Sequence, residues 1–214
     1  MTKIKFCGLK RKADIETANA LNPDYIGFVF AKNSRRYISP ENAAVLKSRL
    51  SPEINAVGVF VNERPEAIAS LLNDGVIDLA QLHGDEGEAY INRLKGLTGK
   101  PVIKAFRITS SADVLKASAS PADLILLDSG TGSGRTFNWQ LIQEMRRPYF
   151  LAGGLDPVNV RDAVRLLNPW AVDVSSGIET DGFKDIEKMA AFAEIVRKTS
   201  EEALSPIKNS LEKS

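Results

Sequence analysis

The stretch AVGVFVNERPEAIASLLNDGVIDLAQL (residues 56–82) shows the pattern on which the rest of the chain is built. Its first segment, Ala56–Val61, is a short apolar run rich in valine, which indicates a buried strand. In Pro65–Asn73 apolar residues recur at helical spacing, and proline suits the first position of a helix. Asp78–Leu82 is a second short, mainly apolar run. Strand, helix and strand in this order predict a βαβ unit with parallel strands.

The same alternation continues on both sides of this unit. Further strand-like runs are Lys3–Cys7, Tyr25–Phe30, Val102–Phe106, Leu124–Asp128, Tyr149–Leu151 and Ala171–Val174. Further helical patterns are Asp14–Ala20, Pro40–Leu50, Glu86–Lys95, Ser111–Ala117, Trp139–Met145, Pro157–Leu167 and Asp185–Lys198. About eight strand–helix units, spaced by roughly 25 residues, predict a (β/α)₈ barrel of the α/β class. An open doubly wound sheet with fewer strands is the alternative.

The domain organisation follows from the absence of any linker-like segment. A barrel of this kind uses roughly 200 residues or more as one unit, and the chain has 214 residues. We predict one catalytic barrel over residues 1–199 and a polar C-terminal tail over residues 200–214.

Composition narrows the possible chemistry and partners. Lys and Arg total 28 against 27 for Asp and Glu, which gives no electrostatic reason to expect nucleic acid or an acidic membrane. A single cysteine, Cys7, excludes an internal disulfide, and a single histidine, His83, excludes a zinc site built from several histidines. We therefore expect no metal, a small-molecule partner and, without a signal-peptide pattern at the N-terminus, a cytoplasmic protein.

Two candidate catalytic residues end predicted strands, where a barrel collects its functional groups. Asp128 closes the apolar run Leu124–Leu127, and a carboxylate there is costly without a partner or a task, with a cap for the following turn as the alternative. Cys7 ends the first predicted strand. Its thiol has two open interpretations, a small buried hydrophobe or a reactive group whose pKa is lowered by nearby cations.

Other polar residues at the same end of the barrel are candidates for ligand binding. Arg36 could hold a carboxylate through two hydrogen bonds, with a solvated surface charge as the alternative. Gln81 could contact a ligand or pack internally, and His83 is better explained as a hydrogen-bonded structural residue than as a base. Asp173, at the end of the eighth strand, fits a supporting or structural carboxylate.

Two glycine-containing loops predict a phosphate site. Gly153-Gly154 follows the seventh strand, and Ser175-Ser176-Gly177 follows the eighth. Barrels commonly bind phosphate through backbone N–H groups at these two positions, although either loop alone could be only a tight turn. Gly130–Arg135 lacks the spacing of a nucleotide-binding loop, so a mobile cover over the site or a plain flexible loop are the two interpretations.

Nine motifs, in this order and spacing over about residues 3–198, resemble the phosphoribosylanthranilate isomerase family of tryptophan biosynthesis. They are Lys5–Leu9, Gly27–Phe30, Ser34–Pro40, Val57–Asn62, Gln81–Gly84, Leu126–Ser129, Gly134–Trp139, Ala152–Leu155 and Val172–Glu179. The resemblance implies a single TIM barrel of the ribulose-phosphate-binding type. It also implies a cofactor-free Amadori rearrangement of N-(5-phosphoribosyl)anthranilate to 1-(2-carboxyphenylamino)-1-deoxyribulose 5-phosphate.

By the same resemblance, Cys7 is the general base and Asp128 the general acid. Arg36 binds the anthranilate carboxylate, and the backbone around Gly154, Ser176 and Gly177 binds the phosphate. Gln81, His83, Asp173 and Ser175 complete the predicted substrate site. The basic run Lys10-Arg11-Lys12 departs from the family pattern, and it could lower the Cys7 pKa, attract an anionic substrate or form a solvated face.

Two rival functions differ in testable ways. Another phosphate-binding barrel of amino-acid biosynthesis, such as a histidine-pathway sugar isomerase, would have a carboxylate in place of Cys7. A non-catalytic phosphosugar-binding barrel would bind ligand without turnover. The sequence leaves open whether the protein is a monomer or a homodimer.

Overall fold

The computed structural model describes residues 1–128, 139–143 and 145–211, with side chains as far as residue 203. Within this part of the chain, eight parallel strands form a closed barrel in the order of the sequence. The strands are β1 Lys3–Cys7, β2 Tyr25–Val29, β3 Asn55–Phe60, β4 Leu79–Leu82, β5 Val102–Arg107, β6 Leu124–Asp128, β7 Tyr149–Ala152 and β8 Ala171–Val174. The predicted (β/α)₈ barrel is confirmed. The alternative, an open sheet, is wrong because β1 pairs with both β2 and β8.

Helices connect the strands on the outside of the barrel. They are α1 Lys12–Leu21, α2 Pro40–Lys47, α3 Pro65–Asn73, α4 Glu88–Thr98, α5 Ser111–Ser118, α6 Val160–Leu167 and α7 Ile186–Leu211. Two short 3₁₀ helices cover Trp139–Ile142 and Ser176–Ile178, and a small antiparallel hairpin follows β8, with strands β9 Glu179–Thr180 and β10 Phe183–Lys184.

Local chemistry explains where the helices begin. Ser39 accepts a hydrogen bond from the backbone N–H of Asn42 at 3.3 Å, and Pro40 follows at the first helical position. The helix predicted from Pro157 begins only at Val160, because Asp156 Oδ1 accepts from the N–H groups of Val158 and Asn159 and forms a local turn. The helix predicted over Trp139–Met145 is a single 3₁₀ turn ending at Ile142.

The core has two layers. Outward-facing strand residues such as Phe28 pack against the helices, while an inner cluster that includes Tyr25 and Phe150 fills part of the barrel interior. Tyr25, Phe150 and Trp170 make aromatic contacts with ring centroids 5.1–6.0 Å apart. Fully burying a large apolar side chain contributes about 1.5–3 kcal/mol, and this cluster stabilises the barrel near the amino ends of its strands.

The last helix continues beyond the predicted helical pattern that ends at Lys198. Thr199 and Ser200 are buried, and Ser200 Oγ accepts a hydrogen bond from the N–H of Thr2 at 3.2 Å. The helix reaches Leu211, and the boundary at residue 199 between barrel and tail stays a prediction. Within the described residues, no helix combines the length and the apolar character needed to span a bilayer.

Candidate active site

A cavity of about 970 Å³ opens at the carboxyl ends of the barrel strands. Its lining includes nine of the ten predicted site residues, namely Cys7, Arg36, Gln81, His83, Asp128, Gly154, Asp173, Ser175 and Ser176. Gly177 is outside the lining. A Cβ atom at Gly177 would collide with the carbonyl oxygen of Leu155, so glycine permits the close approach of the turn after β8 to the loop after β7.

The Cys7 thiol lies inside the barrel at the end of β1. It packs with Val29 and Val59 and is 7% exposed. A Cβ atom at Gly27 on the neighbouring strand would lie 2.8 Å from Cys7 Sγ, so Gly27 leaves space for the thiol. Burial raises the pKa of Cys7, and the ammonium groups of Lys5 and Lys184 partly oppose that rise.

Lys5 and Asp173 form an ion pair within the barrel. They are register partners on β1 and β8, and Lys5 Nζ lies 3.0 Å from Asp173 Oδ1. Burial disfavours the charged form of Lys5, but Asp173 and Cys7 outweigh it, and the pKa of Lys5 is raised. Asp173 therefore lines the cavity and also holds Lys5, which was not among the site residues predicted from the sequence.

Asp128 is part of a chain of polar side chains that crosses from β4 to β6. The amide Nε2 of Gln81 and His83 Nδ1 form a hydrogen bond at 3.0 Å. His83 Nε2 in turn lies 3.3 Å from Asp128 Oδ2. Gln81 Oε1 is buried and has no hydrogen-bond partner within the described part of the chain, so it is available to a ligand donor.

Arg36 pairs with Glu179 through two hydrogen bonds. Arg36 Nε lies 2.6 Å from Glu179 Oε1, and Nη2 lies 2.8 Å from Oε2. The Arg36 side chain passes over Gly8, which has φ of +80° and where any Cβ atom would collide with it. Burial opposes ionisation of Glu179, but the charged groups of Arg36 and Lys184 lower its pKa to about 2.

Lys184 connects this ion pair to the end of β1. Its ammonium group donates to Glu179 Oε1 at 2.8 Å and to the carbonyl of Ser175 at 2.9 Å. Ser175 Oγ donates to the carbonyl of Cys7 at 3.0 Å. Burial lowers the pKa of Lys184, and Glu179 opposes that shift. No pattern in the sequence marked Lys184 as a site residue, and Glu179 was visible only as the last residue of a motif.

The two predicted phosphate loops lie at this end of the barrel. Gly153 and Gly154 have φ of +98° and +64°, values that glycine adopts at little cost. Ser176 begins the short 3₁₀ helix that follows β8. The predicted cover at Gly130–Arg135 lies outside the described residues, and so does most of the motif Gly134–Trp139.

The basic run after β1 has an observed structural role. Lys10 Nζ donates to the carbonyl of Arg35 at 2.9 Å, and Arg11 Nη2 donates to the carbonyl of Lys184 at 2.8 Å. Lys12 pairs with Glu16 at 3.2 Å on the surface of α1. Lys10 and Arg11 therefore tie the loop after β2 and the β9–β10 hairpin to the loop after β1.

Closed barrels of parallel strands carry their active sites at this end, so the fold and the cavity together define a (β/α)₈-barrel enzyme. A family model described as N-(5'phosphoribosyl)anthranilate (PRA) isomerase matches residues 4–195. The chain belongs to this family of isomerases, as the sequence resemblance predicted. The predicted activity class, an aldose–ketose isomerase of tryptophan biosynthesis, is thereby confirmed.

Individual relatives of the same family align with nearly the full chain. The chain is 46% identical over 202 residues to the N-(5'-phosphoribosyl)anthranilate isomerase of Endomicrobium trichonymphae, an alignment that covers 92% of this chain and 99% of the relative. It is 48% identical over 204 residues to the enzyme of the same name from Thermoanaerobacter sp. (strain X514), covering 92% and 98%.

Solved structures give the same result. The crystal structure of phosphoribosyl anthranilate isomerase from Thermotoga maritima matches with a TM-score of 0.86 and 37% identity, covering 92% of this chain and 100% of that chain. A phosphoribosyl anthranilate isomerase in complex with reduced 1-(o-carboxyphenylamino)-1-deoxyribulose 5-phosphate matches with a TM-score of 0.83 and 36% identity, covering 92% and 100%.

Proposed function

We propose that this chain isomerises N-(5-phosphoribosyl)anthranilate with Asp128 as general acid and Cys7 as general base. The observation that carries the proposal is that both side chains line one cavity, from strand ends in different parts of the barrel. Two buried ammonium groups, those of Lys5 and Lys184, oppose the effect of burial on the thiol. An acid and a separate base around one cavity are what a proton-shifting isomerisation needs.

The reaction follows in three stages, each of which moves protons. Protonated Asp128 donates to the furanose ring oxygen as the C1–O bond breaks, which leaves a protonated Schiff base at C1. The iminium acidifies the C2 proton, and the Cys7 thiolate removes it to give an enolamine. C1 then takes up a proton while the C2 hydroxyl loses its own, which forms the ketone. Each positioned acid or base typically contributes about 10²–10⁴-fold.

The remaining residues bind and orient the substrate in this proposal. Arg36 receives the anthranilate carboxylate, and the loops containing Gly154, Ser175, Ser176 and Gly177 receive the phosphate through backbone N–H groups. A bound carboxyphenylamino-ribulose phosphate in the related structure supports a ligand with both groups.

Three polar residues have supporting roles. Gln81 presents its unpartnered Oε1 to a substrate donor, and His83 orients the Asp128 carboxylate. Asp173 fixes Lys5 beside the thiol.

No step of this mechanism requires a metal or a cofactor. We propose a small phosphosugar as the binding partner and a cytoplasmic location. We propose no nucleic-acid or membrane partner, in keeping with the near balance of 28 basic and 27 acidic residues. The protein is proposed as a monomer or a homodimer. A relative from Thermotoga maritima is dimeric, and the crystal structure of monomers generated from it has been solved.

The fluorescence of freshly generated phosphoribosylanthranilate tests the proposal. We expect catalytic amounts of the protein to accelerate the loss of fluorescence, and a Cys7→Ala, Asp128→Asn double variant to lack this effect. If the wild-type protein bound the substrate without turnover, the chain would be a non-catalytic phosphosugar-binding barrel. If the protein instead turned over a histidine-pathway aminoribose phosphate, the chain would be a histidine-pathway sugar isomerase.

A further inference from the structure

The guanidinium group of Arg36 has two edges, and Glu179 occupies one of them. A carboxylate can accept two parallel hydrogen bonds either from Nε and Nη2 or from Nη1 and Nη2 of an arginine. Glu179 uses the first edge, at 2.6 and 2.8 Å. No side chain or backbone group of the described residues accepts a hydrogen bond from Nη1, so the second edge is available to a ligand.

One member of the pair lines the cavity and the other is buried behind it. Arg36 lines the cavity, whereas Glu179 is absent from its lining and its side chain is only 5% exposed. Glu179 is also held by Lys184 at 2.8 Å and by Arg35 at 2.9 Å. A substrate carboxylate can therefore join Arg36 without displacing Glu179 from its buried site.

The backbone segments that carry the pair are themselves fastened together. Lys10 holds the loop of Arg36 by donating to the carbonyl of Arg35, and Arg11 holds the hairpin by donating to the carbonyl of Lys184. Both donors belong to the loop after β1, whose strand ends at Cys7. The position of Arg36 relative to the thiol is thus set by contacts on three segments.

We propose that Glu179 is a positioning residue that holds Arg36 with its Nη1–Nη2 edge towards the substrate carboxylate. The proposal rests on the assignment of that carboxylate to Arg36 made above. A free arginine loses side-chain freedom when it binds a ligand, and an arginine already fixed by Glu179 loses less of it. Glu179 therefore strengthens binding of a carboxylate that it never contacts.

The test compares two ligands that differ only in the carboxylate. One is reduced 1-(o-carboxyphenylamino)-1-deoxyribulose 5-phosphate, and the other is the corresponding phenylamino compound without the carboxyl group. Calorimetry would measure both affinities for wild type, Glu179→Gln and Arg36→Met. Arg35→Met is the matched control, because Arg35 also pairs with Glu179 but does not line the cavity.

We expect Glu179→Gln to lower the affinity for the carboxylate ligand by about tenfold and to leave the affinity for the phenylamino ligand unchanged. Arg36→Met should show the same selective loss of affinity, and adding Glu179→Gln to it should cause no further loss. Arg35→Met should alter neither affinity. Glu179→Asp keeps the charge beside Lys184 but shortens the reach to Arg36, so it should reproduce the selective loss if Glu179→Gln folds poorly.

Three results would overturn the inference. Equal weakening of both ligands would make Glu179 a structural residue, and tighter binding of the carboxylate ligand by Glu179→Gln would make it a competitor of the substrate. An unchanged affinity for both ligands would leave it without a role in binding. If wild type bound both ligands equally, the assignment of Arg36 to the carboxylate would fail, which is a separate failure of the proposed function.

Discussion

His83 Nε2 lies 3.3 Å from Asp128 Oδ2, and both side chains line the cavity at the carboxyl ends of the strands. On the other side of the imidazole, Gln81 Nε2 lies 3.0 Å from His83 Nδ1, so the ring is held between two polar side chains. The Asp128 carboxyl group is thereby held in one orientation by a residue that directly follows a different strand, β4. An acid that must reach one ring oxygen of a bound sugar benefits from such a fixed orientation.

Asp128→Asn should abolish turnover while leaving the fold and product affinity largely intact. The amide has nearly the same shape but cannot deliver the proton that opens the furanose ring, so we expect a loss of at least about 10²-fold in kcat. Asp123→Asn is the matched control, because Asp123 lies just before the same strand at its other end and pairs with Lys95. Activity within a few-fold of wild type would remove Asp128 as the acid.

Cys7→Ala should fold normally and lose about two or more orders of magnitude in turnover, the usual scale of a positioned base. Serine should rescue poorly, because a hydroxyl group is far harder to deprotonate than a thiol. Iodoacetamide should label Cys7 in the native protein, and product should protect it. Since burial raises the pKa of Cys7 above its ordinary value of 9.0, labelling should still accelerate above pH 9. An unreactive thiol together with a fully active alanine variant would make Cys7 a packing residue.

Lys184→Met should shift the pH profile of Cys7 alkylation to higher pH. Lys184 lowers the pKa of the buried thiol through its positive charge, and removing that charge leaves the effect of burial less opposed. Lys188→Met is the control, since Lys188 donates to the carbonyl of Glu179 at 2.8 Å but is exposed. Identical profiles for the two variants would show that Lys184 does not act on the thiol.

Protonation of Glu179 should make the protein less stable as the pH falls. Its pKa is lowered from 4.5 to about 2 in the folded state, so its contribution is fully present above pH 4.5 and is lost between about pH 4.5 and 2. Urea unfolding at pH 5 and pH 3 should show a smaller pH dependence for Glu179→Gln than for wild type. Glu16→Gln, which removes a surface partner of Lys12, should retain the wild-type dependence. If the free energy of unfolding changed equally with pH in wild type and in Glu179→Gln, Glu179 would not be the source of the pH dependence.

Asp173→Asn should destabilise the barrel strongly, because it leaves the fully buried Lys5 without its counter-charge. Breaking a buried pair in this way costs about 3–5 kcal/mol in the free energy of unfolding. A Lys5→Met, Asp173→Leu double variant removes both charges and should recover much of that loss. Denaturant unfolding gives the free energy of unfolding of wild type, Asp173→Asn and the double variant. A double variant less stable than Asp173→Asn would argue against charge burial as the cause.

The sequence by itself determined the barrel and the strand-end positions of Cys7 and Asp128, the two residues proposed for proton transfer. Apolar runs such as Leu124–Leu127, alternating with helical patterns, specify strand and helix through local periodicity. A residue at the end of such a run, as Cys7 and Asp128 are, must lie at the carboxyl end of the barrel. Boundaries were less predictable, because the side chain of Asp156 delays α6 through hydrogen bonds that periodicity does not register.

Only the tertiary structure decided which charged groups face one another. Lys5 meets Asp173 because barrel closure pairs the first strand with the eighth, and Arg36 meets Glu179 across 143 positions of sequence. Lys184 gave no signal, since a lysine in a two-residue strand resembles any solvated lysine until packing buries it beside Glu179. Periodicity is a property of neighbouring residues along the chain, whereas Coulomb energies depend on distance and burial, which exist only once the barrel has closed.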